Sequence, residues 1–234
     1  MDDTGRDYGR RDIGHGSDVA AASAYPMAAS PGPVRVFLLS PAHCGGKRAQ
    51  LLLSERAQFP LADRLRRGAR VTLGEAFTFL SGLYFSGKLV YAERFSRPPA
   101  AGPGVRVITT NRGLIASDTP ITIRDLQDFG SVDIRADDPR YRAPMERDAA
   151  RLAELADVEV ILLGSVATGK YVDVLLEFFG ERLLFPTDFA GRGDMSRGSL
   201  LLRAVREGRE LAYEPVATAS RSLSRSAMRN RTGG

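Results

Sequence analysis

The chain has 234 residues, 43% of them apolar, which suits one large domain with a substantial core and excludes a wholly disordered polymer. A single cysteine, Cys44, excludes a disulfide framework within the chain, and two histidines, His15 and His43, exclude a histidine-rich metal site. The formal charge of +5 divides into −2 over residues 1–32, +3 over 33–216 and +4 over 217–234, so the central region alone does not demand a polyanion partner.

Residues 1–32 are rich in Gly, Ala, Ser and Asp without periodicity and read as a disordered tail. The opening MDDTGRDYGRRD lacks the chemistry of a signal peptide, and no run approaches the ~20 apolar residues that cross a bilayer. A cytoplasmic protein with no membrane partner is the expectation. VRVFLLS (34–40) predicts a short buried strand, and GGKRAQLLLSERAQF after it has helical character. Residues 55–97 then interrupt the alternation as a helical insertion holding seven of the 18 aromatics. Phe77, Leu80, Tyr84 and Tyr91 recur at helical spacing, which suits a helical pair packed on a sheet or a lid whose aromatics stack on a base.

VRVITT (105–110) predicts a second strand. Residues 138–157 predict a helix with Asp138 as N-cap and Pro139 at its first position. VEVILLG (158–164) is a third strand, KYVDVLLEFFG (170–180) a helix ended by Gly180, and ERLLFP (181–186) a fourth strand. SRGSLLLRAVREG (196–208) predicts a helix capped by Ser196, RELAYEPV (209–216) an edge strand, and 217–234 a basic disordered tail. Short apolar strands alternating with helices predict an α/β fold: a three-layer, mostly parallel sheet of four to five strands flanked by helices, in a single domain over 33–216.

Ligands of open parallel sheets bind beyond the carboxyl ends of the strands, near a switch in strand order. Here the strands are followed by PAHCGGKR, NRGLIASD, SVATGK and TDFAGRGDMSR, each with glycine and a basic residue, so a single anion-binding rim is expected. GSVATGK has the G-x-x-x-x-G-K spacing of a phosphate cradle between a strand and a helix. Gly164, Ser165, Thr168, Gly169 and Lys170 are therefore candidate ligand-binding residues. Lys170 in a first helical turn opposes the helix dipole, a placement easier to understand with an anion in front of both. Tyr171 stands where a magnesium-holding Ser or Thr would be, and a Walker-B acid is poorly supplied. A structural turn therefore remains an alternative.

In the fourth loop Arg192 and Arg197 can grip a phosphate or carboxylate, leaving Asp188 and Asp194 as catalytic candidates that orient a water or a base edge. Surface salt bridges are the competing reading. Lys47, Asn111 and Arg112 complete the ligand-binding candidates. Only three of 33 basic residues are lysines, Lys47, Lys88 and Lys170, and each follows a glycine, which lets a backbone approach a ligand closely. His43 and Cys44 are adjacent and so point apart, which makes Cys44 a small buried residue rather than a nucleophile.

VFLLSPA (36–42) and NRGLIASDTPI (111–121) resemble the opening strand and a turn of the YaaA-like peroxide-stress family of DNA-binding proteins and related uncharacterised bacterial proteins. Some of those are similar to uracil-DNA-glycosylase-type α/β folds. Asn111–Arg112 stands where that turn usually has an aromatic, and no water-activating motif carries over. The resemblance implies a nucleobase or nucleic-acid context. Together these readings predict a nucleotide- or nucleic-acid-binding α/β protein with an anion site at the carboxyl rim, whose partner bears phosphate and whose base is a potential object of chemistry. A P-loop-like phosphotransferase or NTPase, and a non-catalytic protein-interaction module, are the alternatives. The sequence names no cofactor, no metal and no oligomeric state, and leaves open whether the chain is an enzyme.

Overall fold

The computed structural model describes residues 32–166 and 169–218. The expectations for the two tails beyond 32–218, and for Thr168, lie outside the described residues. In chain order the elements are β1 (Val34–Leu39), α1 (Lys47–Leu53), α2 (Pro60–Arg66), α3 (Leu73–Ser81), α4 (Leu83–Phe95), β2 (Val105–Ile108), β3 (Leu114–Ala116), α5 (Ile123–Gly130), α6 (Pro139–Ala153), β4 (Val158–Leu163), α7 (Gly169–Phe179), β5 (Leu183–Pro186), α8 (Asp194–Arg206) and β6 (Tyr213–Pro215).

The strands form one sheet in the order β3-β2-β1-β4-β5-β6. β2, β1, β4 and β5 run parallel, and β3 and β6 add antiparallel edges. The architecture is thus the expected α/β fold with a mostly parallel sheet, built among the described residues from six strands rather than four or five. The extra strand, β3, is only LIA, too short for a period of two to show.

The central strands explain themselves. β1 and β4 pair from Val34↔Val158 to Leu39↔Leu163, and Val36–Leu39 and Val160–Leu163 are buried along their whole length. Near-continuous branched runs such as VRVFLL and VEVILL are what a strand covered on both faces requires. Phe37 packs edge-to-face on Tyr91, with ring centroids 5.8 Å apart, so alternate residues of β1 face α4 and the others face away. α4 packs with α8, and α6 packs with α7, giving the helical layers.

Residues 55–97 hold α2, α3 and α4, and α4 is the crossover between β1 and β2. Phe77, Tyr84, Phe85 and Tyr91 are buried in the core rather than presented for stacking on a base. α4 approaches α8 through two glycines: a Cβ on Gly87 would lie 2.8 Å from the Gly198 carbonyl oxygen, and one on Gly198 3.0 Å from that of Leu83. α6 starts as expected, with Asp138 accepting from the Arg140 N–H and Pro139 in the first turn. α8 starts three residues earlier than a Ser196 cap implies, after Gly193, with Asp194 in its first turn where the helix dipole favours a carboxylate.

Candidate functional site at the carboxyl rim

Strand order reverses at β1. From β1 the chain moves outward to β2 and β3; it then returns to β4, on the other side of β1, and moves outward again to β5 and β6. The loops leaving β1 and β4 therefore part from one another at the carboxyl edge, the place where open α/β sheets form a crevice. A cleft of about 340 Å³ lies there. Its walls are the Pro41–Gly45 loop after β1, Thr110 after β2, the Phe129–Ile134 region at the end of α5, and Lys170 in the first turn of α7.

Lys170 is exposed, and among the described residues no carboxylate pairs with it. Cys44 also borders the cleft, but burial pushes its thiol up to about 12, and Sγ rests 3.6 Å from the Ala42 carbonyl oxygen. It is a packed side chain and not a thiolate. Among the described residues, no three His, Cys, Asp or Glu side chains gather as a metal centre would need.

The turn that opens α7 is built on Tyr171. Its buried hydroxyl accepts a hydrogen bond from the Ser165 backbone N–H at 3.0 Å. A Cβ on Gly164 would lie 2.8 Å from that hydroxyl and 2.9 Å from Ser40 Cβ, so only glycine fits. A Cβ on Gly169 would fall 2.1 Å from the Asp173 carboxylate. Burial raises the Tyr171 pKa, and the Ser165 N–H, the Ser40 hydroxyl and the Arg197 charge counter it. The phenol is thus an internal strut of the turn, where a nucleotide-hydrolysing loop would offer a small hydroxyl to magnesium.

Beneath this junction sits Lys88, 1% exposed. Its Nζ donates to the Ser40 carbonyl oxygen at 2.7 Å and to Ser40 Oγ at 2.8 Å. It also lies 4.6 Å from the Tyr84 ring centroid and 4.8 Å from that of Phe85. No carboxylate pairs with it among the described residues. Desolvation pulls its pKa down to about 7, opposed by the field of Asp194, an outlying group with a 71% exposed side chain. A signal for Lys88 exists in the sequence, because it falls on the Tyr84–Tyr91 stripe where an apolar residue belongs.

The remaining candidates are placed as follows. Lys47 begins α1 and is exposed, outside the lining of the cleft. Arg112 turns inward to pair with Asp125 at 2.5 Å and Asp128 at 2.9 Å, over the Phe129 ring. Asn111 donates to the Asp128 carbonyl at 3.0 Å, while its buried Oδ1 has no hydrogen-bond partner among the described residues. Arg192 donates to the Asp188 carbonyl and to Ser196, and Asp188 is exposed. Arg197 donates twice to the Phe189 carbonyl, at 3.2 and 3.1 Å, and is 4.0 Å from Asp194. The Arg197 charge acts on Tyr84 and Tyr171, which brings the first turns of α8 and α7 near one another; the cleft is lined by Lys170 and by none of Asp188, Arg192, Asp194 and Arg197. The Tyr84 hydroxyl lies buried beside Arg197 without a hydrogen bond of normal geometry among the described residues.

No protein-family model, no curated protein and no solved structure matches this chain.

Proposed function

We propose that this protein binds a small phosphate-bearing ligand, a nucleotide in the first instance, in the cleft where the loops of β1 and β4 part. The observation that carries this reading is Lys170, in the first turn of α7 and in no ion pair among the described residues, on the wall of a cleft at the reversal of strand order, where Asp133 also lines the wall. A cation there is repelled by the helix dipole, and an anion in the cleft would be held by both. The cleft volume falls at the small end of small-ligand sites. The +3 charge of residues 33–216 favours one compact anion over a nucleic-acid backbone. Since Tyr171 is committed to the turn, binding rather than magnesium-dependent hydrolysis is the role that fits.

Calorimetric titration with nucleoside mono-, di- and triphosphates tests this. Lys170→Ala should weaken binding about tenfold or more with an unchanged melting temperature, as expected for loss of a charge-assisted contact. A wild-type protein that binds none of them, or binds them as well without Lys170, would overturn the reading.

A further inference from the structure

We propose that Lys88 is the positioning residue of the rim cleft and that it takes up a proton when an anion binds there. This rests on the cleft being an anion site. Ser40 is the last residue before the Pro41–Gly45 wall, and both hydrogen bonds from Lys88 Nζ go to it. Ser40 also touches the site of Gly164, the first residue of the turn that carries Lys170. One buried side chain therefore anchors the roots of both walls.

Among the described residues no carboxylate pairs with its charge. Its own helix offers the Tyr84 and Phe85 rings, the residue after β1 is Ser40, and α7 offers Tyr171 beyond Ser40. From α8, Arg197 faces Tyr84, and Asp194, 71% exposed, is the acid whose field reaches Lys88. A buried ammonium without a carboxylate is the state an incoming anion most improves, because the intervening medium screens little. Protonation of Lys88 and occupation of the cleft must then strengthen one another by the same factor.

Sulfate is a suitable probe, because its own charge does not change near neutrality. Calorimetric titration at slightly alkaline pH, in two buffers of unlike ionisation enthalpy, reads proton uptake directly. The wild type should take up a substantial fraction of a proton per sulfate, and its affinity should fall by up to about tenfold per pH unit above neutrality. Lys88→Met should bind several-fold more weakly with that uptake gone, and His43→Gln, the control for the histidine on the cleft wall, should keep it. Bound sulfate without uptake, or uptake surviving in Lys88→Met, overturns the role of Lys88 while leaving the cleft intact. Sulfate that does not bind at all overturns this inference, and the nucleotide titration then decides whether the cleft reading falls with it. With only three lysines in the chain, carbon-13 signals of Lys88 Cε can be followed in the unaltered protein. A titration midpoint that does not rise with sulfate would equally refute the proposal, whether or not the methionine variant folds.

Discussion

Gly164 and Tyr171 depend on each other at the level of single atoms. Gly164→Ala would place a methyl 2.8 Å from the phenol oxygen and 2.9 Å from Ser40, neither of which is a flexible chain end. The expected loss is roughly 1–3 kcal/mol, read as a fall in melting temperature. Tyr171→Phe should cost about 1–3 kcal/mol by leaving the Ser165 N–H without its acceptor. Lys88 adds a pH dependence. Below pH ~7 the folded and unfolded chains both hold its proton, and the cost of burying the charge is fully present. Between the lowered folded value of about 7 and the ordinary value near 10.5 the unfolded chain binds more protons, so stability rises with pH. The rise from this residue approaches about 1.4 kcal/mol per pH unit. Urea unfolding of wild type and Lys88→Met from mildly acidic to alkaline pH should differ in slope in this direction; parallel curves would show that Lys88 does not titrate in the folded state. The sequence displays Tyr171 as a departure from a phosphate loop. It cannot display the partnership with Ser40, which follows β1, far away in the chain. Nor can it show that Arg112 turns away to Asp125 and Asp128, because that depends on where α5 folds back.

At the scale of elements, the long and regular segments are legible and the short ones are not. β1 and β4 announce themselves by unbroken branched apolar runs, and α6 by its cap and its proline. β3 is hidden in a loop of turn-forming residues, and the start of α8 is masked by a serine that resembles a cap. α4 looks like part of an insertion because its polar positions are few and its stripe is interrupted by Lys88. Its contact with α8 makes a sharp prediction. Alanine normally improves a helix interior over glycine by about 1 kcal/mol. At Gly87 the added methyl meets the Gly198 backbone at 2.8 Å, so Gly87→Ala should instead destabilise by roughly 1–3 kcal/mol. For a domain of this size that is a drop on the order of 2–10 °C in melting temperature. A variant more stable than wild type would mean that the two helices are not in backbone contact.

At the scale of the molecule, the sequences on either side of residues 32–218 lack the apolar periodicity of a core-forming element. A fragment of those residues should therefore unfold cooperatively at the temperature of the full chain, within about 2 °C. A larger loss, measured by scanning calorimetry, would show that the terminal segments contribute to the core. The carboxyl rim as the place of a cleft is legible in the sequence, because it follows from strand alternation alone. The reversal at β1 is not, because strand order depends on long-range pairing that leaves no local mark.

The two outermost strands have a consequence for behaviour in concentrated solution. β3 and β6 are three residues each, and β6 ends in Pro215, which has no N–H to give a neighbour. A sheet of buried, branched strands is the kind of surface that recruits copies of itself when its border is long and straight. Here the border is short on both sides and lacks a donor on one. Pro215→Thr would restore that donor, and light scattering of the variant on prolonged incubation should show faster growth of oligomers than the parent, with the unfolding temperature little changed. Borders this short leave little for a second sheet edge to pair with, a feature separate from the cleft at the carboxyl ends of the strands.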